Sequence, residues 1–252
     1  MAKIISIHSF RGGTGKSNTT ANLAAYLASK GERVGVIDTD IQSPGLHVLF
    51  ALDPSEVGKA LNDFLWGRCP IEEAAYDVTS RLGGAVDGKV FLIPSSIRAG
   101  EITRVLRDGY DVSLLHDGLQ ALVRELQLDT LLVDTHPGLN EETLLSIAVS
   151  NALIVIMRPD QQDYQGTGVT IEVARSLDVP KIMLVVNKTP SSFDQDDVRR
   201  RVAETYDCDV AAVIPHSDEL MTLASAGVFI MRHPKLPLSR IYRALGEVVR
   251  QC

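Results

Sequence analysis

No uninterrupted apolar run in this 252-residue chain is longer than the six residues of Ala152 to Met157. A membrane-spanning helix needs ~20, so the chain is not expected to cross a bilayer. The N-terminus lacks the apolar core of a signal peptide, because Lys3, Ile4, Ser6 and Ile7 lead directly into polar, glycine-rich sequence. Cysteine is scarce: Cys69, Cys208 and Cys252 are odd in number and far apart. That excludes a disulfide scaffold and fits reduced thiols in a cytoplasm, the expected location. There is no Cys-x-x-Cys pair, and His8, His47, His116, His136, His216 and His233 show no metal-ligand spacing. A metal centre built from these side chains is therefore not expected, although His136 follows Asp134 closely enough to lie near it. Excess positive charge is lacking too. With 25 basic and 32 acidic residues the formal charge is −7 and the pI about 5.4, which excludes a wholly basic nucleic-acid binder but not a local basic patch. No low-complexity tract, internal repeat or Pro/Gly linker marks a second domain, so residues 1–252 are expected to form one domain with a sizeable core.

What the chain does contain is ordinary for a globular protein, with 45% apolar and 23% charged residues. Short β-branched runs alternate with helical periodicity. The runs Lys3 to His8, Arg33 to Asp38, Val90 to Pro94, Thr130 to Asp134, Leu153 to Arg158, Lys181 to Asn187 and Val210 to Ile214 read as strands. Most are apolar without alternation, as expected of strands covered on both faces. Helices are predicted over Asn18 to Ser29, Asp117 to Gln127, Gln165 to Leu177, Asp196 to Tyr206 and Leu238 to Val249. The expected fold is α/β, a parallel-rich central sheet flanked by helices on both faces. Asp53 to Gly88 reads as a helical excursion between strands. In the last helix, Leu238, Ile241, Tyr242, Leu245, Val248 and Val249 are expected to face the core, opposite Arg240, Arg243, Glu247 and Arg250.

Directly after the first strand comes Phe10-Arg11-Gly12-Gly13-Thr14-Gly15-Lys16-Ser17, with Asn18 opening the next helix. Glycines at Gly12, Gly13 and Gly15, with Thr14 between them, let successive backbone N–H groups turn toward phosphate oxygens. Lys16 adds a positive charge and Ser17 a hydroxyl for Mg²⁺, so residues Gly12 to Asn18 form a candidate site for a nucleoside triphosphate. The plainer alternative is a glycine-rich turn entering a helix. The usual form of this loop begins with a glycine where this chain has Phe10.

The run Arg11 to Ser17 resembles the deviant Walker A box of the ParA/MinD group of ATPases, relatives of Mrp, the arsenite-pump ATPase and the nitrogenase iron protein. Further motifs extend the resemblance over nearly the whole chain: Val36-Ile37-Asp38-Thr39-Asp40, Leu131-Leu132-Val133-Asp134-Thr135 with Pro137-Gly138, Val185-Val186-Asn187-Lys188, and Ile214-Pro215. The resemblance implies binding and slow hydrolysis of ATP with Mg²⁺. It places Asp38 and Asp134 beside Ser17 around Mg²⁺, through water, and Asp40 at the attacking water. Asn187 would contact adenine, with backbone near Pro215 on the other side. Read locally, the alternatives are a helix N-cap near Pro137 for Asp134, a turn former ahead of Ser43-Pro44-Gly45 for Asp40, and a turn residue for Asn187. The run Asn187-Lys188-Thr189-Pro190 lacks the Asp that reads guanine in related GTPases, which favours ATP. Arg11 stands where the family carries a lysine that reaches across a two-chain ATP sandwich. Arginine keeps the charge but not the geometry; it would act in trans on hydrolysis or hold the dimer together. Arg158 is a second cationic candidate for the nucleotide edge.

The resemblance further implies an ATP-dependent homodimer that positions a cellular cargo through a protein partner or adaptor. Two alternatives are an ATPase maturing a metal or protein client, which the missing cysteine pair disfavours, and a regulatory module that holds ATP without hydrolysing it. MinD carries a membrane-binding amphipathic tail, whereas this chain ends at Cys252, so no membrane tail is expected. ParA-type proteins bind DNA without sequence preference, and Arg232, Lys235, Arg240, Arg243 and Arg250 form a candidate patch for that.

Overall fold

In the computed structural model, which describes residues 2–252, the apolar runs pair into one sheet. Its strands are β1 (Lys3–His8), β2 (Arg33–Asp38), β3 (Tyr76–Asp77), β4 (Lys89–Ile93), β5 (Thr130–Asp134), β6 (Ala152–Met157), β7 (Ile182–Thr189) and β8 (Asp209–Pro215). Their spatial order is β3-β4-β2-β5-β1-β6-β7-β8. Every pairing is parallel except that of the two-residue edge strand β3 with β4. The helices are α1 (Lys16–Ala28), α2 (Leu46–Leu49), α3 (Leu61–Leu65), α4 (Ala99–Asp108), α5 (Ser113–Glu125), α6 (Glu141–Ala148), α7 (Gln161–Ser176), α8 (Gln195–Tyr206), α9 (Asp218–Leu223), α10 (Phe229–Arg232) and α11 (Pro237–Arg250).

Alternate residues of each central strand enter different cores, as the period of two requires. Ile5, Ile7, Leu132 and Ile154 join Leu23, Leu27, Phe229 and Tyr242 beneath α1, α10 and α11. On the opposite face, Ile4, Leu131 and Val133 pack with Leu115, Leu119 and Leu122 of α5, while Leu153, Val155 and Leu184 pack with Ile171 of α7 and Val202 of α8. With both faces covered, the strands carry no polar alternation, and all five residues of β5 are buried.

The chain leaves β1 through α1 toward β2, on one side, and passes from β5 through α6 to β6, on the other. The carboxyl ends of β5, β1 and β6 therefore flank a topological switch point, where ligands of open α/β sheets gather. In β2 and β5, Asp38 and Asp134 are register partners, which brings two carboxylates from distant sequence to adjacent strand ends.

The elements depart from the expectation in three respects. Asp53 to Gly88 is less helical than expected, with α3, three single-turn 3-10 segments and the antiparallel β3. Helices α2, α4, α6, α9 and α10 are not predicted by the periodicity. The buried stripe of α11 is Leu238, Ser239, Tyr242, Leu245, Gly246 and Val249, whereas Val248 is 37% exposed. Gly246 lies so close to Tyr26 of α1 that a Cβ there would sit 2.1 Å from the ring. Close helix approach, rather than apolar character alone, sets that face. Among the described residues no helix is long and apolar enough to cross a membrane.

Candidate nucleotide-binding site

The loop between β1 and α1 is shaped by two left-handed glycines, Gly13 (φ +74°) and Gly15 (φ +99°), a conformation that costs other residues roughly 1–2 kcal/mol. Gly15 caps α1, whose N-terminus has no side-chain cap and whose first turn has no acid. The free amides and positive end of the helix dipole are left open to an anion. Two residues of β7 brace the loop from behind. Asn187 Nδ2 donates to the Thr14 carbonyl at 2.7 Å and Lys188 Nζ to the Gly13 carbonyl at 2.8 Å. A Cβ on Gly15 would lie 2.3 Å from Asn187 Nδ2, so the brace itself demands glycine there. Lys16 is only 7% exposed, and among the described residues it forms no ion pair.

Below the loop lie the two strand-end carboxylates, each about 1% exposed. Asp38 accepts from the backbone N–H groups of Asp40 (3.1 Å), Gly45 (3.1 Å) and Leu46 (3.2 Å), which folds residues 39–46 around it. Ser95 Oγ donates to the Asp38 carbonyl at 2.7 Å. Asp134 accepts from Thr20 Oγ1 at 3.2 Å. Desolvation pushes both carboxyls above the ordinary carboxylate range; Asp134 further raises Asp38, while Lys16 pulls Asp134 back down. Two buried acids side by side beneath a free ammonium are poised for a cation.

At the mouth, Asp40 and His136 meet, with His136 Nδ1 2.7 Å from Asp40 Oδ1. The same oxygen accepts from the Ser43 N–H at 3.2 Å. The strand ends at Asp38 and the chain turns, so the two acids, two positions apart, take separate tasks: Asp38 organises the loop from beneath, and Asp40 lies on the cavity wall.

The cavity holds about 780 Å³ and is lined by Gly12, Gly13, Gly15, Lys16, Ser17, Asn18, Asp40, Asn187 and Pro215 among the residues singled out in the sequence. Thr14, Asp38 and Asp134 lie behind its wall. The Asn187 amide spends one N–H on Thr14 and accepts from the Lys188 N–H at 2.8 Å, which leaves one donor and one lone pair for a ligand. Val48, Leu220 and Met221 add an apolar rim, with Met221 62% exposed.

Arg11 lies to one side. Its Nη1 is 3.4 Å from Asp163 Oδ1 and 3.6 Å from Asp160 Oδ1, at the start of α7. Arg158 is there too and not at the nucleotide edge: its N–H and Nε donate to Asp163 Oδ2 at 2.8 and 3.1 Å. Phe10, where a first glycine is usual, packs on Gly166, a Cβ of which would lie 2.1 Å from the Phe10 ring. The sequence reading missed the roles of Lys188, Asp163 and Gly166 and the contact of His136 with Asp40. Only Asp160-x-x-Asp163, an N-capping pattern after a strand, left a local signal. In the basic patch, Arg250 pairs with Glu32 at 3.1 Å and Glu247 at 3.4 Å, and Arg243 donates to the Pro234 carbonyl at 2.9 Å.

The residues fit a magnesium-bound triphosphate. Among the described residues Thr14 Oγ1 is buried without a partner and Lys16 is buried without an ion pair, while Asp38 and Asp134 offer two buried carboxylates at adjacent strand ends. Burial of His8, with Lys16 next in effect, lowers its pKa to about 3, so the imidazole beneath the loop stays neutral.

A sequence model of the AAA domain family AAA_31 matches residues 2–180. The uncharacterized ATP-binding protein MJ0547 of Methanocaldococcus jannaschii is 27% identical over 95% of this chain and 84% of its own length. The septum site-determining protein MinD of a Synechocystis strain is 25% identical over 94% of this chain and 84% of its own. The structure of MinD from Pyrococcus horikoshii complexed with Mg-ADP superposes with a TM-score of 0.82 at 22% identity, covering 99% of this chain and 96% of that one.

Proposed function

The chain belongs to the AAA domain family AAA_31 and with it to the ParA/MinD group of P-loop ATPases, and from that premise we propose that it hydrolyses ATP slowly and closes as a two-chain ATP form to position a cellular cargo. The observation that carries this reading is the conjunction at one strand edge of an uncapped helix N-terminus, an unpaired buried Lys16 and a buried pair of carboxylates. The loop amides and Lys16 would hold the β- and γ-phosphates. Ser17, with Asp38 and Asp134 through water, would hold Mg²⁺, which supplies charge neutralisation on the phosphates. Asn187 and the backbone near Pro215 would receive adenine, and residues 1–252 would act as one domain.

Asp40 is the residue at the cavity wall suited to orient the attacking water, since its carboxylate is held but only 17% exposed. Lys16, Asp40 and Arg11 form the catalytic set of this reading, with Arg11 acting on the partner chain's phosphates after leaving α7. The test is phosphate release and light scattering with ATP, ADP and no nucleotide. Asp40→Ala should keep MgATP binding, lose about 10² to 10⁴ in hydrolysis rate and accumulate the two-chain mass. Equal mass in all three states, or hydrolysis undiminished in Asp40→Ala, sinks the reading.

A further inference from the structure

Asp40 and His136 come from loops after different strands, β2 and β5, and meet at 2.7 Å on the wall of the nucleotide cavity. An ionised Asp40 only accepts, so the Nδ1 of a neutral His136 must carry the ring proton, leaving Nε2 as acceptor. Nδ1 and the Ser43 N–H both bond Oδ1, which leaves Oδ2 as the oxygen for a water.

The backbone of His136 is fixed independently of the loop that carries Asp40. Thr135 N–H donates to the Ile7 carbonyl at 3.1 Å and Gly138 N–H to the Ser9 carbonyl at 3.1 Å. Pro137 restricts the chain between them, and Thr143 Oγ1 donates to the His136 carbonyl at 3.3 Å. Asp40 lies on residues 39–46, a segment without a strand or helix until α2, which Thr39 ties to β5 by donating its N–H and Oγ1 to the Asp134 carbonyl, both at 3.0 Å, and which gathers around the Asp38 carboxylate. Thr39 thus fixes the backbone beside Asp40, and His136 fixes its carboxylate against the loop after β5.

We propose that His136 is the positioning residue for hydrolysis, holding Asp40 through Nδ1–H so that Oδ2 meets the attacking water. The inference rests on the role given to Asp40 above. In the step it serves, the water oxygen bonds to the γ-phosphorus while the bond to the β–γ bridging oxygen breaks. That oxygen leaves on ADP, and the water's proton passes to Asp40 Oδ2 and then to the phosphate product. His136 exchanges no proton.

The test is a double-mutant cycle on the full chain with MgATP, read as kcat, KM and calorimetric ATP affinity. His136→Ala should lower kcat by about 10- to 100-fold, the size expected for loss of a hydrogen bond to a charged group, with KM and ATP affinity within about twofold. In His136→Asn the amide nitrogen occupies the place of Nδ1, and kcat should recover most of the loss. Adding His136→Ala to Asp40→Ala should slow the reaction no further. Nitrogen NMR of the nucleotide-free protein, at a pH where the ring is neutral, should show His136 as the Nδ1–H tautomer, a preference lost in Asp40→Ala. An unchanged kcat in His136→Ala, no recovery in His136→Asn, a further loss in the double variant, or an Nε2–H tautomer overturns the inference. Full hydrolysis by Asp40→Ala overturns the earlier reading instead, so the two failures are told apart.

Discussion

Lys16 and Arg11 belong to one glycine-rich loop, yet the two ends of that loop are built differently. Around Gly15 to Ser17 everything is internal: Lys16 is 7% exposed, Asn187 and Lys188 brace the loop from β7, and Asp134 stands below. Around Phe10 and Arg11 the loop leans outward on α7, with Phe10 38% exposed on Gly166 and the Arg11 side chain 39% exposed beside Asp163 and Asp160. One end is complete within a single chain. The other rests on contacts that a second chain could replace, and Arg158 keeps Asp163 paired when Arg11 departs. Because the Arg11–Asp160 pair is exposed on both sides, where such pairs contribute only about 0–1 kcal/mol, and buried Asp163 stays paired with Arg158, moving Arg11 to an incoming phosphate is inexpensive.

The sharpest way to break this comparison is at the internal end. Lys16→Ala should weaken ATP binding by about 10²-fold or more, the scale of a hydrogen bond to a charged group lost with its charge. Arg11→Ala should leave the affinity of the single chain within a few-fold. Calorimetry that finds similar losses for both would erase the distinction between the two ends.

Next in size is a contrast between the two left-handed glycines. Gly13→Ala meets no atom within 4 Å and should cost only the conformational strain, whereas Gly15→Ala also drives a methyl into Asn187 Nδ2 at 2.3 Å. Left-handed backbone costs roughly 1–2 kcal/mol, so Gly13→Ala should lower Tm by several degrees. Gly15→Ala should lower it further and lose the response of Tm to MgATP. Equal melting temperatures would show that Asn187 yields and the brace is soft.

Arg11→Ala gives a smaller effect of another kind. The ATP-driven shift in mass should move to about tenfold higher protein concentration while ATP binding persists, since one charged contact per chain is lost. A dimer curve unchanged from the parent would confine Arg11 to its place on α7.

The same contrast decides what could be read from sequence. The internal end was legible because phosphate binding needs glycines, a lysine and a hydroxyl in consecutive order, and because buried parallel strands are continuous apolar runs. Asp38 and Asp134 were legible as strand-end acids, but their pairing comes from the register of β2 with β5. The contacts of Arg11 with Asp163 and of Asp40 with His136 span 152 and 96 positions, and no local pattern announces them. Helix α6 was missed because Pro137 to Asn140 reads as a turn, although Asn140 Oδ1 caps the helix by accepting from Thr143 N–H at 2.8 Å. The face of α11 was misjudged at Val248 because Ser239 and Gly246 are buried by close packing, which hydrophobicity does not encode.

The smallest effect concerns the outer face of α11. Of the five basic residues on and just before that helix, Arg250 is neutralised by Glu32 and Glu247, Arg243 donates to the Pro234 carbonyl, and Arg232 lies over Gly83 and Gly227. Lys235 and Arg240 are exposed and form no ion pair among the described residues. A chain of net charge −7 repels DNA within about a Debye length, about 10 Å at 0.1 M salt, so only contacts at the patch attract it. Two cations per chain give a two-chain form about four phosphate contacts, and with a slope near −0.9 per contact a fourfold rise in salt should weaken binding by roughly 10²-fold. Retardation of random duplex is therefore expected only with ATP and at low salt, and Lys235→Glu with Arg240→Glu should remove it while Arg250→Glu changes little. Retention that survives the first pair of substitutions, or that needs no ATP, would place any DNA contact elsewhere and leave α11 a solvated helix face.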